Sequence, residues 1–310
     1  MKRYITIDGG TTNTRIYLVE DGVITDTARI NIGFNRPTSR AEAVPEIRNA
    51  IKNMLFKKAL CEEDIERIIA SGMLTSEFGL YKLDHTVAPA GIAELHNNSR
   101  EVILEEISPI PFYFVCGVKT VGELLVDINM MRGEETELMG IRREDDGECI
   151  YILPGSHSKL ARLDANGKIL DFKSTLTGEM IAAMTKSTIL STCVDLTANL
   201  YEPALIEGYN YAKEYGINET LLKTRTLQGL MKKDKDYLYS FFMGAILCDE
   251  IKAILKMPEN KVIISGRAEI KVALSALLRS ASDKTVIELD RETIDSSTVR
   301  GAIKIYEYNN

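Results

Sequence analysis

The sequence predicts an α/β protein of two domains, each opening with a three-stranded antiparallel meander in a mixed sheet. Strand and helix patterns alternate along the chain, which is typical of a sheet buried between helices. A small-residue turn follows the first predicted strand, and the same opening recurs at about half the chain length. The 310 residues, 45% of them hydrophobic, are enough for two cores of ordinary size.

The first meander lies at the start of the chain. Residues 4–8 alternate and are rich in β-branched side chains, which predicts a strand. A turn of small residues at 9–14 follows, and 15–20 and 23–30 predict two further strands. Asp21-Gly22 between those strands is typical of a type I′ hairpin turn.

The second meander repeats this order of elements. Residues 149–153 predict a strand and 154–158 a turn of small residues. Two more strands are predicted at 159–164 and 168–174, joined by the hairpin turn Asn166-Gly167. Repetition of one order of elements indicates two copies of the same architecture.

Further strands and helices are predicted in both halves of the chain. Further strands are predicted at 67–70, 112–116, 262–265 and 285–289, and helices at 39–60, 127–142, 236–256, from 268 to 279 and from 295, where Asp295 is a candidate N-cap. The turn Gly266-Arg267 follows the strand at 262–265. The predicted domains are 1–130 and 131–310, with hinge helices near 127–142 and 295–307.

Composition excludes several classes of protein. Lys plus Arg is 38 against 45 for Asp plus Glu, a net charge of −7, which argues against a broad basic surface for nucleic acid. The longest apolar run, 237–248, is too short to cross a membrane. Five scattered cysteines without a Cys-x-x-Cys pair give no sign of zinc or an iron–sulfur cluster, and reduced thiols in a cytoplasmic protein are expected. The sequence leaves the oligomeric state open, a homo-oligomer included.

The turn after the first strand has the chemistry of a phosphate cradle. Its residues are Gly9, Gly10, Thr11, Thr12 and Asn13. Consecutive glycines let backbone N–H groups approach an anion, and Asp8 at the strand end can hold Mg²⁺ through water. No Gly-Lys-Ser/Thr follows, as in a P-loop, and a strand instead of a helix comes next. An ordinary Gly-rich hairpin turn is the alternative, but its repetition near residue 154 resembles the ribonuclease H-like domains of the actin, Hsp70 and hexokinase superfamily.

Five strings of residues sharpen the resemblance. They are 33–36 (GFNR), 71–73 (SGM), 131–140 (MRGEETELMG), 153–159 (LPGSHSK) and 176–180 (LTGEM). In this order they closely resemble the 2-dehydro-3-deoxygalactonokinase family, best over 130–180 and least over 190–260. The resemblance covers essentially the whole chain. It implies ATP, Mg²⁺ and phosphoryl transfer to the terminal, 6-hydroxyl of a six-carbon 2-keto-3-deoxy sugar acid.

The resemblance also assigns roles to an acidic pair. Phosphoryl transfer requires positioning, charge neutralisation and a carboxylate that accepts the hydroxyl proton. Glu134 or Glu135 is expected to be this base, with Glu134 favoured and the other residue orienting Arg132 or the metal. The alternative is that Glu134, Glu135 and Glu137 form only an acidic first helical turn, which the helix dipole favours.

Further residues are expected around the nucleotide. The second phosphate loop comprises Gly155, Ser156, His157, Ser158 and Lys159. Hydroxyl, imidazole and ammonium donors suit phosphate, although the acidic residue that many members of the superfamily carry in this loop is absent. The superfamily implies that adenosine is bound at the turn of Gly266, where glycine lets a flat base approach the backbone.

The sugar acid is expected to meet three residues. Arg36 is the candidate clamp for the carboxylate, since a guanidinium binds a carboxylate through two parallel hydrogen bonds. An exposed loop arginine is its alternative. Glu179 is expected to accept hydrogen bonds from sugar hydroxyls or to begin a helix, and Met73 to line a wall or pack in the core.

Two other classes of function fit parts of the pattern. An ATPase of the same fold could drive conformational change or hydrolyse polyphosphate, because a fold does not fix a function. The absence of bridging cysteines and of a peptide-binding domain argues against a cluster-carrying activator or a chaperone. A non-catalytic sugar-acid sensor is the other alternative, which Asp8 and Glu134 disfavour.

Overall fold

A computed structural model describes residues 1–266 and 268–309. Its contacts divide the chain into two compact units. Unit 1 consists of Met1–Gly147, Asp164–Asp171 and the chain from Arg291 onward, and unit 2 of Glu148–Leu163 and Phe172–Asp290.

The strands lie in three sheets. They are β1 (Arg3–Gly9), β2 (Thr14–Glu20), β3 (Val23–Ile30), β4 (Arg67–Gly72), β5 (Thr86–Val87), β6 (Arg100–Leu104), β7 (Ser108–Phe114), β8 (Val118–Thr120), β9 (Asn129–Met131), β10 (Cys149–Leu153), β11 (Ser158–Leu163), β12 (Ile169–Thr175), β13 (Lys261–Ile264) and β14 (Thr285–Glu288). The sheet orders are β3-β2-β1-β4-β7-β6, β5-β8-β9 and β12-β11-β10-β13-β14.

Helices connect the strands. They are α1 (Ser39–Lys57), α2 (Ile92–Asn98), α3 (Glu134–Ile141), α4 (Thr177–Ser187), α5 (Glu202–Tyr215), α6 (Ile217–Gly229), α7 (Lys235–Ile246), α8 (Cys248–Leu255), α9 (Ala268–Ala281), α10 (Arg291–Asp295) and α11 (Ser297–Tyr306).

The two larger sheets share one topology. Strand β1 pairs antiparallel with β2 and parallel with β4, as β10 pairs antiparallel with β11 and parallel with β13. In each sheet a three-stranded meander is therefore followed by two parallel strands, and the first sheet has one further strand, β6, which pairs antiparallel with β7. The predicted meanders and their repetition are confirmed.

Each unit has its own core. In unit 1, α1 buries Ala43, Ile47 and Ile51 on one face, which agrees with the helical spacing predicted for this segment. The sheet strands contribute Ile5, Ile7, Ile16, Phe112 and Phe114 to the same cluster. In unit 2 the cluster includes Ile150, Ile152, Leu160, Phe242, Ile251, Val262 and Leu274.

The helix predicted over 127–142 is shorter than expected. Leu125–Asp127 is a single 3₁₀ turn, and Asn129–Met131 pairs with β8 instead of continuing a helix. Gly133, with φ +109°, then turns the chain into α3. Strand pairing and this glycine conformation, which other residues rarely adopt, place the helix start at Glu134.

Two further helix predictions need correction. The helix predicted over 236–256 is divided at Leu247, whose ψ of −5° departs from helical geometry, into α7 and α8. Asp295 is the last residue of α10 and not the N-cap of the closing helix. Its carboxylate lies 3.3 Å from Arg291 Nε, an i,i+4 pair that supports this short helix.

Contacts of α3 and α11 explain why the units do not follow the expected boundary at 130/131. Both helices lie in unit 1, and they pack on each other through Gly140 and Gly301. A Cβ added at Gly301 would lie 1.8 Å from Thr136 O, and one added at Gly140 would lie 1.8 Å from Ser297 O. The backbones of the two helices therefore touch directly. This contact places α11, near the end of the chain, in the same unit as α3.

Four cysteines, Cys116, Cys149, Cys193 and Cys248, are buried free thiols, and Cys61 is exposed. Within the described residues, every helix is too short or too polar to cross a membrane.

Gly301→Ala is expected to lower the free energy of unfolding by about 1–3 kcal/mol, because a backbone carbonyl blocks the added methyl group and cannot rotate away. Urea denaturation measures the change. Gly229→Ala is the matched control, since an added Cβ there meets nothing within 4 Å. Equal stability of Gly301→Ala and Gly229→Ala would contradict the close contact of α3 and α11.

Candidate active site

The predicted first phosphate loop, the turn at residues 9–13, joins β1 to β2. Gly10 N–H donates to Asn13 O at 2.9 Å, and Gly10 O accepts from Phe34 N–H at 3.0 Å. A Cβ on Gly33 would lie 2.1 Å from Thr11 O, so the segment that begins at Gly33 packs directly on the loop. The side chains of Thr11 and Thr12 remain exposed and can donate to a ligand.

Glycines bring the ends of β1 and β4 together. The register pairs Asp8 with Ser71 and Gly9 with Gly72. Gly72 has φ +72°, and a Cβ there would lie 2.4 Å from Gly9 O and 3.3 Å from Asp8 Oδ1. A Cβ on Gly133 would in turn lie 3.2 Å from Gly72 Cα, so the start of α3 reaches the same point. The structure therefore brings the first loop and the Arg-Gly-Glu-Glu string together within unit 1.

Asp8 lies in an environment that opposes its negative charge. Burial raises the pKa of Asp8, and the nearby carboxylate of Glu134 raises it further. The guanidinium of Arg15 counteracts both, with Arg15 Nη1 3.9 Å from Asp8 Oδ2. Asp8 and Glu134 are thus close enough to repel each other, and a cation between them would relieve the repulsion.

The two glutamates of the acidic pair occupy different environments. Glu134 is half-buried, and its Oε2 accepts Arg132 N–H at 3.0 Å. Glu135 is fully buried, and both of its carboxylate oxygens lie 2.8 Å from Gly133 N. Thr136 Oγ1 also donates to Glu135, at 3.2 Å. Glu135 therefore supports the backbone turn, whereas Glu134 retains access to solvent.

Burial raises the pKa of Glu135 to about 7, and the neighbouring charge of Glu134 adds to the shift. Hydrogen bonds from backbone N–H groups and the charge of Arg132 act in the opposite direction. Near neutral pH the carboxyl group of Glu135 is therefore only partly ionised.

The guanidinium of Arg132 forms hydrogen bonds with the segment that follows β4. Its guanidinium donates to Thr75 O at 2.8 Å, Thr75 Oγ1 at 2.6 Å and Leu83 O at 3.0 Å. His85 Nδ1 accepts from Arg132 at 3.2 Å; burial and then Arg132 lower the pKa of His85 to about 4, so its ring is neutral. Sequence reasoning missed Thr75 and His85, because an arginine does not indicate which distant segment it binds.

Two of the residues expected at the sugar acid already have partners within unit 1. Arg36 is exposed and donates to Glu42 Oε2 at 2.6 Å and to Thr38 Oγ1 at 3.1 Å. Met73 follows Gly72 directly and packs, half-buried, against the unit 1 core. The packing role weighed for Met73 is thus present, and Arg36 would have to exchange Glu42 for a substrate carboxylate.

The predicted second phosphate loop lies in unit 2, between β10 and β11. A Cβ on Gly178 would lie 2.0 Å from Gly155 O, so α4 begins against the loop. Glu179 N–H donates to Ser156 O at 3.2 Å, and Glu179 Oε1 lies 2.9 Å from His157 Nε2. The strings 153–159 and 176–180 are thus in direct contact.

The end of the second loop enters strand β11. Ser158 and Lys159 are buried there, and Lys159 Nζ donates to His157 O at 3.3 Å. Gly266, with φ +85°, packs against the same loop, since a Cβ there would lie 2.6 Å from Pro154 O. Arg267, the other half of the predicted turn, lies outside the described residues.

Sequence reasoning also missed Glu250. This residue of α8 is buried and accepts hydrogen bonds from Thr175 and Thr177, which bracket the junction between β12 and α4. The acidic pair Asp249-Glu250, directly after the apolar run 237–248, was the available signal. Glu250 holds the start of α4, and hence the contact of Gly178 with the second loop.

Among the described residues, no group of three or more His, Cys, Asp or Glu side chains is arranged to hold a metal ion. A site with a single carboxylate is still suited to Mg²⁺, which keeps several waters and binds substrate phosphates.

Comparison with known proteins gives a consistent result. The sequence pattern of the family described as 2-keto-3-deoxy-galactonokinase matches residues 8–305. The chain is 23% identical over 257 residues to the 2-dehydro-3-deoxygalactonokinase of Escherichia coli (strain K12), covering 81% of this chain and 80% of that protein.

Solved structures agree in fold. A candidate 2-dehydro-3-deoxygalactonokinase from Sinorhizobium meliloti superposes with a TM-score of 0.79 at 20% identity, covering 98% of both chains. Component A of the Acidaminococcus fermentans (R)-2-hydroxyglutaryl-CoA dehydratase superposes with a TM-score of 0.53 at 13% identity, covering 99% of both chains. These likenesses confirm the predicted fold of two ribonuclease H-like domains.

Glu135→Gln is expected to weaken the dependence of the unfolding free energy on pH. Because the pKa of Glu135 is raised from 4.5 to about 7, the folded state holds this proton more tightly than the unfolded state does. The unfolding free energy of the wild-type protein therefore falls as pH rises from about 4.5 to about 7, by about 3 kcal/mol in total.

Urea denaturation at several pH values across and above this window tests the expectation. Glu123→Gln, which removes an exposed carboxylate, is the control and should leave the wild-type slope unchanged. Equal slopes for wild type and Glu135→Gln would show that Glu135 does not titrate in this range.

Proposed function

Because the chain belongs to the 2-keto-3-deoxy-galactonokinase family, we propose that it transfers the γ-phosphoryl group of ATP to the 6-hydroxyl of 2-dehydro-3-deoxy-D-galactonate or a closely related 2-keto-3-deoxy sugar acid. The match of the family pattern to residues 8–305 carries this proposal. It spans both phosphate loops and the acidic pair, so the parts that phosphoryl transfer needs are all included.

The two loops would bind the phosphates of ATP. In the first, Gly9, Gly10, Thr11, Thr12 and Asn13 offer backbone and side-chain donors on a turn held by Phe34 N–H. In the second, Gly155, Ser156, His157, Ser158 and Lys159 offer donors and one positive charge. Such donors stabilise phosphate charge without covalent chemistry, which is the main requirement of this reaction.

Glu134 would act as the general base. Its solvent access and its place beside Asp8 support this role, whereas full burial and the bond to Gly133 N–H fit Glu135 as its support. In the step, the substrate 6-oxygen forms a bond to the γ-phosphorus, its proton passes to Glu134, and the bond from that phosphorus to the ADP oxygen breaks. Arg132 would hold the turn in place through Thr75 and Leu83.

Asp8 would hold Mg²⁺ through water. The residues fit the ion, since the raised pKa of Asp8 and its closeness to Glu134 mark a point where positive charge is favourable. Mg²⁺ supplies charge neutralisation to the phosphates when bound.

The remaining contacts concern the two ligands. Arg36 would bind the carboxylate of the sugar acid after exchanging Glu42, and Glu179 would accept a hydrogen bond from a sugar hydroxyl. Met73 would form an apolar wall beside the first loop. The turn at Gly266, packed on Pro154, would receive adenosine.

Coupled ATP turnover with Mg²⁺ tests the proposal against a panel of 2-keto-3-deoxy aldonates and plain hexoses. We expect turnover with the keto acids only, and little ATP hydrolysis without an acceptor. Glu134→Gln is expected to lower kcat by roughly 10²–10⁴-fold, the usual contribution of a general base. Asp8→Asn is expected to lower activity and to raise the Mg²⁺ concentration needed for half-maximal turnover.

Glu137→Gln is the matched control, because it removes the third acid of the same helical turn. Equal losses in Glu134→Gln and Glu137→Gln would favour a general role for the acidic turn over a specific base. ATP binding without turnover on any sugar acid would overturn the proposed reaction while leaving the fold intact.

Gly178→Ala is expected to lower kcat/KM for ATP by roughly 10–100-fold, because a Cβ placed 2.0 Å from Gly155 O must displace the second loop. Steady-state kinetics with ATP varied at saturating sugar acid measures this, and Gly229→Ala is again the control. Unchanged kinetics in Gly178→Ala would exclude the second loop from the nucleotide site.

A further inference from the structure

A small cavity of about 200 Å³ lies in unit 1 where α3 ends. Four cationic residues, Arg142, Arg143, Arg300 and Lys304, line it together with Thr293. Among the described lining residues there is no carboxylate. A cavity surrounded by positive charge is unexpected in a chain whose net charge is −7.

Two of the guanidinium groups have unused donors. Arg142 has a side-chain exposure of 9%, and its Nε and Nη1 are buried with no hydrogen-bond acceptor among the described residues. Arg142 Nη2 donates to Ala165 O at 2.9 Å, and Asp146 Oδ2 lies 3.6 Å from Nη1. Arg300 Nη2 donates to Thr293 O at 2.8 Å, but its buried Nε likewise has no acceptor among the described residues. Buried donors without acceptors cost free energy, so this arrangement favours an added negative charge.

The lowered pKa of Lys304 agrees with an excess of positive charge around the cavity. Its Nζ donates to Met139 O at 3.2 Å, near the end of α3. Desolvation lowers the pKa of Lys304, followed by the charge of Arg300; Glu144 opposes these effects and Arg142 adds to them. The cations therefore repel one another in the absence of a bound anion.

The end of a helix attracts cations, but this attraction is too small to explain the cluster. A helix carboxyl end carries about half of a negative charge. Even when Glu144 and Asp146 are included, four cations leave positive charge in excess. Arg300 also lies within α11 and not at the end of a helix, so it needs a different explanation.

We propose that this cavity binds the phosphate group of a small anion. Planar guanidinium groups match the oxygens of phosphate, and an ammonium group adds a point charge. The volume is below the roughly 300–1,000 Å³ of sites for drug-sized ligands, which suits inorganic phosphate or a small phosphorylated metabolite. The cavity lies at the opposite end of α3 from Glu134, about 10 Å along the helix axis.

Isothermal titration calorimetry of the full chain with inorganic phosphate tests the proposal directly, without ATP or sugar acid, at ionic strength held constant with NaCl. Arg143→Gln and Arg300→Gln are the test variants. Because Arg143 is exposed, its substitution should not disturb folding. Each variant is expected to weaken phosphate binding at least about tenfold, the loss of one charge-assisted hydrogen bond.

Thr12→Val and Arg29→Gln are the controls. Thr12 lies in the first phosphate loop, and Arg29 is an exposed arginine on β3. Binding that survives in both controls but falls in Arg143→Gln supports the site. Binding lost in Thr12→Val and retained in the arginine variants would place phosphate in the loop and overturn the proposal, as would no heat of binding in the wild type.

A second arm compares a phosphorylated sugar acid with its unphosphorylated form, and this arm alone rests on the proposed function. Tighter binding of the phosphorylated acid than of inorganic phosphate, lost in Arg143→Gln, would identify the product of the reaction as the ligand. If the phosphorylated and the unphosphorylated acid bind with equal affinity, and Arg143→Gln changes neither affinity, the cavity does not recognise phosphate.

Discussion

Close contact between backbones at Gly9, Gly72 and Gly133 is the constraint on which the candidate site of unit 1 depends. At Gly72 a side chain would meet Gly9 O and Asp8 Oδ1, and at Gly133 it would meet Gly72 itself. Because these glycines carry no Cβ, the ends of two parallel strands and the start of a helix share one small volume. Asp8 and Glu134 then lie close enough for their charges to interact.

The adjacent residues Glu134 and Glu135 lie in different environments at this point. Full burial of Glu135 raises its pKa to about 7 and commits its oxygens to the N–H of Gly133. The turn so fixed leaves Glu134 half-buried beside Asp8. Glu135 therefore stabilises the turn, and Glu134 keeps its access to solvent.

Unit 2 also depends on close backbone contacts at glycines. Gly178 and Gly266 allow the start of α4 and the turn after β13 to touch the backbone of the second loop. Glu250 fixes the start of α4 from behind through two threonine hydroxyls. In both units, glycine contacts thus set the positions of the loop backbones, whereas buried polar side chains keep the contacts in place.

The sequence by itself determined the two meanders, the two loops of small residues and the family, because alternation, turn residues and short strings such as 153–159 are local signals. It could not determine that α3 begins at Glu134, since pairing of 129–131 with β8 competes with helix formation there. Nor could it predict that Arg132 binds Thr75 and Leu83, or that Arg142 and Arg300 line one cavity. Only the tertiary structure decided these points, because burial and charge at each side chain depend on residues far away in the chain.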